Sequence, residues 1–125
     1  MAPDKLNRIV LSIFAPVLII TGVAGFLVPL QYSLTSGAAP YNVFHIAFGV
    51  TGLLIALSGK PRFSSIFNLG FGLIDIYQAV ASYLNLPPKQ FFLWTRVDDI
   101  LHIILGVGLV LIGLYGILKQ QEQTT

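Results

Sequence analysis

Cysteine is absent from the 125-residue chain. That excludes disulfides, thiolate nucleophiles and zinc–thiolate or iron–sulfur ligation, and it leaves the redox compartment unread. Charge is nearly as scarce. Only 10% of the residues are charged, against about 25% in a soluble domain. Hydrophobic residues supply 55%, and the mean hydropathy is +0.82. A soluble chain this short has too little interior to hide so much apolar surface, whereas a bilayer solvates it. The net charge of +2 comes from seven basic residues that fall near the ends of apolar runs, so no basic face exists for nucleic acid. Nucleophile elbow, metalloprotease helix and phosphate-binding glycine loop are all missing. Neither catalysis nor a metal site is expected.

What is present is a series of apolar runs. Crossing ~30 Å of hydrocarbon takes roughly 20 apolar residues in a helix. Spans are expected over residues 9–30, 42–58, 64–84 and 99–118. The first is too long for a signal-peptide core and no small-residue cleavage pattern follows it. Pro16 should kink it or thin its hydrogen bonding. The joining segments are short, which sets sequential spans antiparallel. Residues 85–97 hold Pro87, Pro88, Phe91, Phe92 and Trp94, the composition of an interfacial aromatic belt. The expected fold is an all-α membrane protein: a four-transmembrane-helix bundle built from two tandem hairpins, with residues 1–125 as one transmembrane domain. Lys5, Arg8, Lys60, Arg62 and Lys119 would share one side, and Lys89 and Arg96 the other. This bias predicts both termini on the cytoplasmic or stromal-equivalent side of a plasma or thylakoid membrane.

A shift of 57 residues lays the second span on the fourth. Asn42 falls on Asp99, His45 on His102, Gly49 on Gly106, Val50 on Val107 and Gly59 on Gly116. At the same shift Phe14 meets Phe71 and Ile19 meets Ile76. The pattern suggests a duplicated hairpin in parallel orientation. The segments Asn42-Val-Phe-His45 and Asp99-Ile-Leu-His102-Ile-Ile-Leu-Gly106 resemble a bacterial family of small four-span membrane proteins of unknown function. That resemblance implies the fold and draws attention to the histidines. It implies no activity.

His45 and His102 each lie about one turn inside their spans, so both sit at one depth, roughly 5–6 Å below one surface. Asp75 rises toward them on the third span, with Gln78 on the same face. A polar cluster of Asn42, His45, Asp75, Gln78, Asp99 and His102 is therefore expected in one leaflet. Asn42 and Asp98 or Asp99 also stand where helix N-caps belong, and the glycines have helix-packing spacing. Asp75 is costly in hydrocarbon unless paired or protonated, which marks it as a functional candidate.

Three roles fit these residues. The first is an accessory or scaffold subunit of a larger membrane complex, with other membrane subunits and the bilayer as partners. The second is a tetrapyrrole site for chlorophyll or haem b, with His45 and His102 as candidate axial ligands. In that reading Gly49 and Gly106 clear space for the macrocycle, Phe44, Phe48 and Phe71 form its wall, and Lys89 and Arg96 meet its propionates. The third is a small proton or ion carrier using Asp75 and the histidines as a relay.

Overall fold

A computed structural model describes residues 1–124 and the side chains of 1–119. Among the described residues the chain has five helices and no strand. They are α1 (Pro3–Leu27), α2 (Ala39–Leu57), α3 (Pro61–Leu84), the single turn α4 (Lys89–Phe92) and α5 (Arg96–Thr124). A 3-10 turn, Leu30–Tyr32, follows α1. Three helices are long and apolar enough to cross a membrane: Pro3–Leu27, Ala39–Leu57 and, within α5, Arg96–Lys119. At 24 residues α3 is long as well, but its average is pulled down by polar side chains.

The helices begin earlier than their apolar runs. The expected starts at residues 9, 42, 64 and 99 each miss a polar first turn. Proline opens α1, α2 and α3, where its fixed φ suits a helix and its missing N–H costs nothing. Thr95 opens α5. Thr95 N–H donates to Asp98 Oδ2 (2.9 Å) and Asp98 N–H donates back to Thr95 Oγ1 (3.2 Å), a reciprocal capping box. At the other end α1 stops at Leu27, short of the expected 30, where Val28 takes the extended conformation (ψ 129°) that a residue before proline favours. Pro16 does not break α1, which runs through it as one helix. Asn85 ends α3 in the left-handed region (φ 58°), donating its N–H to Ala81, a conformation that asparagine tolerates better than most residues.

The two hairpins close on glycine, α1 against α2 and α3 against α5. A Cβ at Gly49 would lie 2.6 Å from Ile19 Cγ1 and 2.9 Å from the Ala15 carbonyl oxygen; a Cβ at Gly106 would lie 2.8 Å from Ile76 Cγ1 and 2.9 Å from the Gly72 carbonyl oxygen. Ile19 and Ile76, like Gly49 and Gly106, are 57 residues apart, so the offset seen in sequence recurs in the packing. Two glycines expected to pack do not: Gly70 and Gly108 face open space.

The hairpins meet where α1 crosses α3 and α5 and α2 crosses α3. Rings fill the middle of the molecule. Phe71 packs against Phe14 (5.8 Å between centroids), Phe48 (5.3 Å) and Phe67 (5.7 Å), and Phe44 packs on Phe48 (4.5 Å). Polar side chains are buried on either side of this layer.

At the end holding the starts of α1 and α3, Asn7 is fully buried. It donates Nδ2 to the carbonyls of Pro3 (2.9 Å) and Ile112 (2.8 Å), and accepts at Oδ1 from Asn68 Nδ2 (2.9 Å). Ser65 Oγ donates to Asp4 Oδ1 at 2.5 Å. Arg8 Nε donates to the Ala56 carbonyl (2.8 Å) in the last turn of α2, where a cation also meets the negative end of the helix dipole. These bonds fasten α1 to α2, α3 and α5.

Candidate functional site

The opposite end carries the histidines. His45 on α2 and His102 on α5 line one cavity of about 190 Å³, together with Phe14, Leu18, Tyr41, Asp75 and Asp98. Both imidazoles are buried. His45 stacks on Tyr41, one helical turn earlier, with ring centroids 4.1 Å apart. Its Nδ1 lies 2.7 Å from the Tyr41 carbonyl oxygen. A carbonyl only accepts, so Nδ1 carries the hydrogen and Nε2 of the neutral ring keeps its lone pair. His102 stands edge-on to Trp94 at 6.2 Å. Its Nδ1 is buried without a hydrogen-bond partner among the described residues.

Asp98 is the hub that builds this end, and it is only 1% exposed. It accepts the Tyr41 hydroxyl at Oδ1 (2.6 Å), and the N–H groups of Ser36 (2.8 Å) and Thr95 (2.9 Å) at Oδ2. Three donors from three segments satisfy a buried carboxylate, as its desolvation requires. They also tie the segment before α2 and α2 itself to the start of α5. Thr95 Oγ1 adds a bond to the Leu34 carbonyl (2.8 Å), and Ser36 Oγ bonds the Phe92 carbonyl.

The expected cluster is thus partly assembled. His45, His102 and Asp75 share the cavity. Asp99 does not join them. It lies in an apolar groove of about 380 Å³ between α3 and α5, with Ile76, Tyr83, Ile103 and others. Two adjacent residues on a helix point about 100° apart, so only one of Asp98 and Asp99 can face inward. The capping box selects Asp98. Asn42 is fully buried, but its Nδ2 donates to the Gly37 carbonyl (2.9 Å), and its side chain fills the notch at Gly25 on α1. It sits inside the first turn of α2 and is not the N-cap, which is Ala38. Gln78 is buried outside the cavity lining, with Oε1 unpartnered among the described residues.

Gly49 and Gly106 offer no ledge to a macrocycle, since a neighbouring helix already occupies the space over each. Phe44, Phe48 and Phe71 pack on one another. Lys89 turns its ammonium to the Ser82 carbonyl and to Asn85 Oδ1 (2.9 Å), capping α3. Tyr41 and Asp98 were the residues that sequence reasoning passed over as a pair. They are separated by the same 57 positions as the two histidines, so the repeat itself held the signal. Compared with protein-family models, curated proteins and solved structures, the chain matches none.

Proposed function

We propose that the chain is a four-span bundle of the bilayer that works by binding within the membrane plane, as an accessory or scaffold subunit of a larger membrane complex without catalysis of its own. The observation that carries this reading is an inverted distribution of polarity. More polar than apolar residues are fully buried, while Ile13, Ile20, Leu54, Leu73, Ile104 and Leu111 stand exposed in mid-helix. Water would reject that arrangement, and hydrocarbon favours it. The same logic makes α3 the fourth span. Its polar residues Ser64, Ser65, Asn68, Asp75 and Gln78 are all buried, and Ile66, Leu73, Tyr77 and Val80 face outward. In a bundle, polar groups on the inner face lower the average hydropathy without touching lipid.

The orientation follows from charge, with both termini on the cytoplasmic or equivalent side. Arg8 and Arg62 support that end as carbonyl caps: Arg62 Nη1 reaches the Ile117 carbonyl at 3.4 Å, much as Arg8 reaches Ala56. The short connections leave the outward faces of the helices as the main surface on which a partner can act. Isolation under mild detergent with stoichiometric partner subunits supports this reading. Recovery only as a free monomer or homo-oligomer, from a source expressing it at its natural level, overturns the subunit role.

The other two roles fit less well. A cavity of about 190 Å³ is close to the ~150 Å³ that holds a single benzene ring, so a four-ring tetrapyrrole does not fit it. An ion or proton relay from Asp75 to the Asn7 cluster would have to cross the phenylalanine layer, where the rings pack 4.5–6.0 Å apart.

A further inference from the structure

The histidine cavity has four properties that together specify an occupant. The first is size. An apolar cavity of ~150 Å³ holds one benzene ring, and this one is about 190 Å³. It accepts a single substituted six-membered ring. The second is its opening. Val17, Leu101 and Leu105 line the cavity and also reach the outer surface. It therefore opens sideways between α1 and α5, through apolar jambs, toward the hydrocarbon. Thr21 and Thr35, both partly exposed, line it as well, while on the apolar flank an amphiphile could leave its tail in the membrane.

The third property is an unmet hydrogen-bonding demand on two sides. His102, on α5, is 4% exposed and has Nδ1 unpartnered. His45, on α2, has spent Nδ1–H on the Tyr41 carbonyl, which leaves Nε2 as an acceptor. A buried polar atom without a partner is costly, and a ligand oxygen can relieve it. The fourth is that the strongest charge is already used. Asp98 accepts from Tyr41, Ser36 and Thr95, so it does not call for a cation. Asp75 adds one further carboxyl to the wall.

We infer that this cavity binds the headgroup of a membrane-soluble benzoquinol, with one hydroxyl donating to His45 Nε2 and the tail passing out between α1 and α5. Oxygens at opposite ends of the ring match hydrogen-bonding groups brought from two helices. His45 Nε2 can only accept once Nδ1–H is spent on Tyr41, so it takes a donating hydroxyl and not a quinone carbonyl, while a hydroxyl beside His102 can donate or accept to suit that ring's tautomer. An ammonium headgroup suits the site poorly, because His102 carries an N–H that needs an acceptor and an ammonium has only donors. The inference is one of binding alone. It rests on the membrane placement, not on the subunit role.

The chain carries its own reporter, since it has one tryptophan, Trp94, edge-on to His102. Purified protein in lipid nanodiscs is titrated with decyl-benzoquinol, kept reduced, while tryptophan emission is followed. Saturable quenching is expected, weakened at least tenfold in His102→Leu and severalfold in Leu105→Phe, which narrows the opening and leaves the buried polar groups untouched. Leu111→Ala, exposed on the same helix, should respond as the parent does. If His102→Leu fails to fold by circular dichroism, the Leu105→Phe result decides. Quenching that rises linearly and equally in all variants is collision from the bilayer, and it overturns the assignment. So does a saturable response to decylamine without one to the quinol. Protein that stays monodisperse without detergent or lipid would instead bring down the membrane placement, a failure separate from that of the site.

Discussion

Removing one carboxylate, Asp98→Ala, should unlock the histidine end, while removing its neighbour, Asp99→Ala, should do almost nothing. Asp98 accepts three hydrogen bonds at 2.6–2.9 Å from three segments. Each bond to a charged group contributes about 1.5–3 kcal/mol, and a donor left buried and unpaired costs ~1–3 kcal/mol. These do not sum, because the three donors act on one carboxylate and partly relax together. Deleting one partner of a buried charged network usually costs about 3–5 kcal/mol, and that is the expected loss. Asp99 Oδ1 is buried with no partner among the described residues. Its removal relieves a desolvated oxygen, so a change within ~0.5 kcal/mol or a small gain is expected. The two substitutions are identical in chemistry and adjacent in sequence, which makes each the control for the other. Unfolding in mixed micelles of increasing SDS fraction, followed by Trp94 emission and helical circular dichroism, measures both. Equal effects, or a larger loss for Asp99→Ala, would refute the placement of Asp98 as the hub.

Tyr41→Phe keeps the ring stack on His45 and removes one donor to Asp98, so about 1–2 kcal/mol should be lost in the same assay, and little more when Asp98→Ala is already present. Gly106→Val drives a side chain into the Gly72 carbonyl oxygen, at 2.9 Å from its Cβ, and should destabilise the second hairpin by ~3 kcal/mol or more, whereas Gly108→Val, in open space, should stay within about 0.5 kcal/mol. Because the chain has no cysteine, single introduced thiols report topology without background. Gln31→Cys and Lys60→Cys should be labelled by an impermeant maleimide from opposite sides of sealed vesicles, and labelling from one side would remove the antiparallel four-span arrangement. An absorption spectrum of protein purified from its natural membrane should show no Soret band, and a band lost in His102→Ala would restore the tetrapyrrole reading.

The apolar runs found the long helices because a bilayer selects for continuous hydrophobicity, which is legible one residue at a time. Their ends were less legible. Asp4, Asn7 and Arg8 lower the hydropathy of a first turn that is nonetheless helical, because Pro3 starts it and carbonyls on α2 and α5 accept from its side chains while Asn68 on α3 donates to one. Those partners are invisible in a sequence. Counting residues sets His45 and His102 at one depth, and both line one cavity. Their carboxylate was misassigned by one position. Aligning Asn42 with Asp99 made Asp99 the natural choice, but direction around a helix changes by about 100° per residue, and the turn that sets α5's first residue fixes which acid faces in. Thr95, three before Asp98, was the available clue. The Asn7–Asn68 bond was unreadable, since only the crossing of α1 and α3 brings those amides together.

The stacked phenylalanines have an electrical consequence. Phe14, Phe44, Phe48, Phe67 and Phe71 form an apolar layer between two buried polar networks. In the proposed membrane placement, a charge crossing the bundle would have to displace those rings. The two ends share no hydrogen bond among the described residues, so a substitution at Asp4 is expected to reach Asp98 only through the ring layer.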